Sequence, residues 1–126
     1  MTNDSDTWPT EIRLSKDKRT LTVTFEDGKS FALPAELLRV LSPSAEVQGH
    51  SPEQRQTVPG KKDVGVTQIH PIGNYAIRLE FDDMHSTGIY SWVYLHELGS
   101  NQDALWAAYL KELAEKGLAR EPKTRH

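Results

Sequence analysis

The chain has 126 residues, a formal net charge of -3, 37% hydrophobic and 26% charged residues, and no cysteine. A chain of this length buries about two thirds of its unfolded surface as one domain, so two full domains are excluded. The missing cysteine excludes disulfides, thiolate metal sites and a cysteine nucleophile, and 18 acidic against 15 basic side chains leave no global field for nucleic acid or anionic lipid.

Residues 1–9 (MTNDSDTWP) set Trp8 among mostly polar side chains. Ordering them costs backbone entropy with little burial in return, so a disordered leader is expected. The leader is acidic and polar where a signal peptide is basic and then apolar, and no apolar run reaches the roughly 18 residues of a membrane span. The expectation is a soluble, cytoplasmic protein that contacts no membrane. From Glu11 onward, Ile12 and Leu14, then Leu21, Val23 and Phe25, alternate with period two, the mark of strands half-buried on one face. Lys16-Asp17-Lys18-Arg19 is the polar turn between them. Asp27-Gly28, flanked by Phe25 and Phe31, predicts a tight type I′ hairpin, for which glycine supplies the positive φ, and 30–33 is the third strand.

Pro34 has the fixed φ of a first helical position, and Ala35 to Leu41 supply helix formers with Leu37, Leu38 and Leu41 on one side. Pro43 ends this short helix. Residues 42–63 then read as a polar loop of a length that is usually functional or disordered. The clearest strand puts Tyr75, Ile77, Leu79 and Phe81 on a core face and Ala76, Arg78, Glu80 and Asp82 on the other, preceded by Val64, Val66, Ile69 and a turn at 71–74. Asp82-Asp83-Met84-His85 turns into a further strand at 86–90. After Ser91 the period changes. Trp92, Leu95 and Leu98 predict a helical turn closed by Gly99, and Ser100 caps a final helix from Gln102 to Lys116 with Leu105, Trp106, Tyr109, Leu110 and Leu113 on one stripe. This order predicts an α+β domain over 10–118: an antiparallel β-sheet, a short helix after the first three strands, and C-terminal helices packed on one face. A frayed basic tail is expected at 119–126.

Three blocks carry a family resemblance: LRVLSPSAEVQGH at 38–50, GNYAIRLEFDD at 73–83 and HSTGIYSW at 85–92. Together they resemble the γ-butyrobetaine-hydroxylase-like N-terminal domain, formerly a domain of unknown function. The similarity runs from about Glu11 to Gly99 and is most specific from Asp82 to Trp92. That family includes free-standing bacterial proteins, the N-terminal domain of γ-butyrobetaine and trimethyllysine dioxygenases, and domains attached to P-loop iron–sulfur carrier ATPases. The resemblance implies the fold, and by association a service to iron–sulfur or oxygenase-related systems. In the dioxygenases the domain holds a structural zinc through a Cys-Pro-Cys-x-x-Cys run and a later histidine. The matching run here is Ser42-Pro43-Ser44-Ala45-Glu46-Val47, with His85 at the histidine, so hydroxyls and an isopropyl group replace the thiolates and no metal or other cofactor is expected. The dioxygenase reaction needs a separate jelly-roll domain, and no His-x-Asp occurs in the chain.

Two readings of the Asp82–His85 turn stay open. His85 with Asp82 and Asp83 supplies imidazole and carboxylate ligands for iron or zinc, completed by His50 or His70, and His85, Asp83 and His50 form the smallest such cluster. The alternative is a turn whose aspartates bond their own backbone. The 44–62 loop mixes Glu46, Gln48, His50, Arg55, Lys61 and Lys62, a set that contacts a partner or stays solvated. Lys16-Lys18-Arg19 and Lys61-Lys62 adjoin acids and lack interleaved aromatics, so they read as solvated surface rather than a nucleic-acid site. Tyr90, Trp92 and Tyr94 are core or recognition surface. Ser91 lacks a Gly-x-Ser-x-Gly context, Gly60-Lys61-Lys62 is not a P-loop, and no spacing reveals a nucleophile–base pair. A non-catalytic binding or adaptor domain with an unknown protein partner is therefore expected, with Glu46, Gln48, His50, Asp83 and His85 on a polar rim. The alternative is a protein that binds iron or zinc through His85 and nearby carboxylates.

Overall fold

The computed structural model describes residues 8–49 and 55–122. The elements run β1 (Pro9–Leu14), β2 (Thr20–Phe25), β3 (Ser30–Pro34), α1 (Ala35–Val40), α2 (Ala45–Gln48), β4 (Val66–Ile72), β5 (Ala76–Phe81), β6 (Gly88–Ser91), α3 (Trp92–Ser100) and α4 (Gln102–Glu115). The class is α+β with antiparallel pairing throughout, but the strands form two sheets of three, β1-β2-β3 and β4-β5-β6, where the sequence predicts one. Each meander has its own apolar face, and the long polar segment between them allows the two faces to share one core. Leu21, Val23, Phe25 and Leu33 of the first sheet cluster with Val66, Ile77, Leu79, Phe81 and Tyr90 of the second, with Leu37 and Leu38 of α1 and with Leu95 and Leu98 of α3. A backbone bond from the Val66 amide to the Lys18 carbonyl, 2.8 Å, joins the first hairpin turn to β4.

Local departures from the expected pattern have local causes. Gly28 takes φ +89°, but Asp27 stays outside the left-handed region. The Gly28 amide donates to the Phe25 carbonyl (3.0 Å) and the Phe25 amide to the Lys29 carbonyl (2.8 Å), so the loop is the three-residue kind with a glycine bulge rather than type I′. Pro34 is the N-cap of α1, with φ -62° and ψ 140°, rather than its first helical residue. Tyr75 is 55% exposed and does not face the core: it belongs to the turn that follows Gly73, and the buried alternation starts only at β5. Leu110 is 40% exposed because α4 is packed along the narrower stripe of Trp106, Tyr109 and Leu113 against Val40 and Val58. Gly99 lies inside α3 and does not end it. A Cβ there would meet the Phe31 ring at 2.2 Å, so glycine permits the close approach of α3 to β3. Ser100 is the last residue of α3, and Asn101 stands at the N-cap of α4 without a side-chain bond.

Residues 119–122, the start of the expected frayed tail, are bound instead. The Ala119 and Arg120 carbonyls accept from the Gly60 and Lys62 amides at 2.9 and 3.0 Å. The Arg120 guanidinium grips the buried Glu36 carboxylate at 2.9 and 2.8 Å and lies 5.0 Å from the Trp106 ring centroid. A buried carboxylate at the start of α1 needs such a partner. The remainder of the expected leader and tail, 1–7 and 123–126, lies outside the described residues. No described helix is long and apolar enough to cross a membrane.

Leu79→Ala should destabilise the protein by about 2–5 kcal/mol through the cavity it leaves, whereas Tyr75→Ala should stay within about 0.5 kcal/mol. Chemical denaturation of both variants checks the corrected face of β5.

Candidate functional site

Two short segments meet beside the second sheet. After α1 ends, Ser42 is fully buried, and the Ser44 hydroxyl caps α2 by accepting the Glu46 amide at 3.1 Å, which places the Glu46 side chain in the first turn of a helix. The other segment is the Asp82–His85 turn, closed by bonds from the Met84 amide to the Phe81 carbonyl (3.1 Å) and from the Phe81 amide to the His85 carbonyl (2.9 Å). Its second half carries Met84 at φ +76°, a conformation rare for any residue but glycine, asparagine or aspartate, with the side chain 89% exposed.

His85 joins the two segments. Its ring is buried, with Nε2 2.9 Å from Ser42 Oγ and Nδ1 3.0 Å from Glu46 Oε1. An ionised carboxylate only accepts, so neutral His85 carries its proton on Nδ1 and donates to Glu46, while Nε2 accepts the Ser42 hydroxyl. Ser44 donates to Thr87 Oγ1 at 2.6 Å, and Thr87 donates to Glu46 Oε1 at 2.9 Å, which completes the link between α2 and the lead-in to β6. Burial, and then the Arg39 charge, hold the His85 pKa below its usual 6.5 against the opposing pull of Glu46 and Asp83. The order Ser–His–carboxylate resembles that of a nucleophilic triad, but Ser42 is fully buried, and a Cβ on Gly88 would sit 2.4 Å from its Oγ. No substrate reaches that hydroxyl.

Asp83 holds the turn from the other side. Its Oδ1 accepts the His85 amide at 3.1 Å, and its Oδ2 pairs with Arg39 Nε at 2.7 Å and Lys61 Nζ at 2.6 Å. Burial alone would raise the Asp83 pKa, but Lys61, the His85 amide and Arg39 outweigh it and bring the pKa below the ordinary carboxylate value. Asp82 turns the other way and accepts the Gly65 amide at 3.1 Å. The Tyr90 hydroxyl fixes β6 to α1 through the Leu38 carbonyl at 2.5 Å, and burial drives its pKa far up. Trp92 donates to the Asn74 carbonyl at 2.9 Å, and Tyr94 is partly buried, so among these three aromatics only Tyr90 is core. Arg39, Glu46, Val47, Val58, Asp83, Met84 and His85 line a cleft of about 340 Å³ beside the turn.

The structure thus gathers Glu46, Asp83 and His85 of the expected rim. Gln48 departs from it, its amide nitrogen donating to the Ser42 carbonyl at 2.8 Å, and His50 lies outside the described residues. His70 pairs with Glu80 at 2.5 Å on another part of the second sheet. The sequence reading missed Arg39, Lys61 and Ser42 as partners of the turn, since they come from segments far from it in the chain, and it missed Thr87 as the partner of Ser44 and Glu46. The donor set does not fit a zinc ion: Ser42 and Ser44 are hydroxyls already spent on His85 and Thr87, and Val47 has no donor. The Asp83 carboxylate is paired with Arg39 and Lys61, and among the described residues no group of three His, Asp or Glu side chains is placed to hold a metal ion.

A model of the family described as gamma-butyrobetaine hydroxylase-like, N-terminal, matches residues 12–96. No curated protein matches. Two solved structures, each described as an NMR solution structure of a protein, are similar: one is 47% identical with a TM-score of 0.80 over 94% of this chain and 93% of that one, the other 46% identical with a TM-score of 0.80 over 100% and 95%. A crystal structure of a protein of unknown function from the DUF971 family of Acidithiobacillus ferrooxidans is 39% identical, with a TM-score of 0.64 over 77% of this chain and 98% of that one.

A histidine whose folded pKa is depressed favours folding when neutral, so its contribution is full above about pH 6.5 and is lost as pH falls below that value. Stability measured by denaturation between about pH 8 and 5 should show this decline, and His85→Gln should flatten it. An unchanged slope in the variant would assign the decline to other groups.

Proposed function

This chain belongs to the gamma-butyrobetaine hydroxylase-like N-terminal domain family, and we propose that it works without catalysis, as a small binding or adaptor domain that docks a protein partner on the Asp82–His85 turn. One observation carries the reading: Met84 projects an 89% exposed thioether from a turn in a strained backbone conformation, while its neighbours Asp83 and His85 are fixed on both sides. Such strain persists only where the surroundings over-determine it, and it concentrates at functional sites. A rigid turn loses little entropy on docking, and methionine adapts its shape to a partner's apolar surface. Val58 in the adjoining cleft extends the apolar contact, and Glu46, Asp83 and His85 form its polar border. Dioxygenases and iron–sulfur carrier ATPases, which the sequence resemblance brings into view, make oxygenase or iron–sulfur machinery the first place to look for the partner. We propose further that the domain holds this rim without a metal, the Ser42–His85–Glu46 contacts acting in place of one.

Met84→Gly tests the docking surface without endangering the fold. Removing the side chain relieves the left-handed strain, so the melting temperature should stay level or rise, consistent with a gain of up to about 1 kcal/mol. A partner captured by the unaltered chain from its native host should be lost by this variant, whereas retention would sink the reading. Chelation should leave the melting temperature unchanged; a fall would mean that a metal ties the loop.

A further inference from the structure

A second cavity, about 400 Å³ and separate from the rim residues apart from the short α2 segment, is lined from α3 and α4. That volume lies within the range of small-ligand sites. Leu41, Leu98 and Leu105 make its apolar part, and Tyr94 and Tyr109 add aromatic surface. Both tyrosine hydroxyls are already committed, Tyr94 to the Leu41 carbonyl at 2.5 Å and Tyr109 to the Val58 carbonyl at 2.6 Å. The amide nitrogens of Gln48 and Asn101 donate to the Ser42 and Glu97 carbonyls at 2.8 and 3.0 Å, which leaves their side-chain oxygens as acceptors. Arg55, the cation of the lining, is paired with Glu112, and Glu112 also accepts the Thr57 hydroxyl at 3.0 Å. Glu97 remains: the residue lines the cavity, and its carboxylate has no bonded partner among the described residues.

Among the described residues the lining therefore offers spare acceptors, one uncompensated negative charge and a wall of leucine and tyrosine. Its complement is a positively charged donor on an apolar stem. We propose that this cavity binds a primary alkylammonium group, carried either by a free amine or by a lysine side chain. The ammonium supplies three donors for Glu97 and the amide oxygens, the charge-assisted pair being the strongest of these contacts. The stem lies along the leucines, and the tyrosine rings favour a cation over a neutral group. A carboxylate on the same stem would meet Glu97 with like charge. This inference does not rest on the docking role of Met84, which belongs to another set of residues.

The test is a titration of the full chain followed by amide NMR, with hexylammonium, hexanol, hexanoate and an N-acetylated, C-amidated tripeptide centred on lysine as separate probes. Saturable shifts at Tyr94, Leu98, Leu105 and Tyr109 are expected with hexylammonium. Glu97→Gln should weaken that binding by about tenfold or more without changing the melting temperature, since Glu97 is an exposed side chain. Ala108→Trp, at an exposed position of the same lining, should block it by filling the space. Saturation by the lysine peptide as well identifies a protein side chain as a source, and saturation by the free amine alone identifies a small molecule. Absence of saturable shifts with hexylammonium overturns the proposal. Equal binding of hexanol or hexanoate, or undiminished binding by Glu97→Gln, overturns it too.

Discussion

The imidazole of His85 is the contact on which the rest of the candidate site depends. It is buried, accepts from Ser42 on one nitrogen and donates to Glu46 on the other, and so joins the polar segment after α1 to the turn after β5. A buried ring nitrogen without a partner costs about 1–3 kcal/mol, whereas each satisfied bond adds only about 0.5–1.5 kcal/mol net. The contact is thus worth more as a restriction on where α2 can sit than as a source of stability. Thr87 and Ser44 extend that restriction, since the proton order along Glu46, Ser44 and Thr87 leaves each hydroxyl with one donor role and one acceptor role.

A second clamp acts on the same turn through charge. Arg39 and Asp83 have side chains only 12% and 16% exposed, and Lys61 shares the carboxylate at 2.6 Å. Ion pairs taken out of water recover little more than their desolvation penalty, and Arg39 Nη1 is buried with no hydrogen-bond partner among the described residues, a further cost. What this arrangement secures is position: Asp83 is fixed by α1 and by the 55–63 segment at once, and Met84 follows it into the left-handed region. Strain at Met84 and the orphan nitrogen at Arg39 fall within one small region, on residues that line the same cleft. Conflicts with local preference gathered in this way support the docking role proposed for the turn, because an otherwise consistent fold tends to keep such conflicts at functional sites.

Most of the strands and the helices α1, α3 and α4 were legible in the sequence, though not their exact caps, because period and punctuation act locally. Ile77, Leu79 and Phe81 alternate without interruption, and α1 ends at Val40, three residues before Pro43. Tyr75 continues the apolar alternation in the sequence, yet it belongs to the turn after Gly73 and is exposed, so the period holds only within β5. Whether six strands close as one sheet or two is a question of which faces meet, and alternation has no information on that. Gly99 has the local look of a helix stop, but its reason is the Phe31 ring, distant in sequence. Of the rim, Glu46, Asp83 and His85 were foreseen because the resemblance pairs their segments. Arg39, Lys61 and Thr87 were not, since each looks like an ordinary surface residue until the fold puts the first two against Asp83 and the third against Ser44 and Glu46.

The segment from Leu41 to Gln48 ties the two halves of the molecule's surface chemistry together. Ser42, Ser44 and Glu46 face the His85 clamp, whereas Leu41 and Gln48 line the cavity of α3 and α4. A helix of one turn leaves residues two apart on different sides, which is why Glu46 and Gln48 separate in this way. Gln48 also donates to the carbonyl of Ser42, the residue whose hydroxyl meets His85. Displacing α2 therefore alters the cavity wall and the imidazole contacts together, because a four-residue helix capped by Ser44 has no internal give to absorb the motion. The serines that stand at the apparent thiolate positions keep this segment against the sheet with directional hydrogen bonds, and those bonds set the spacing between the rim and the cavity.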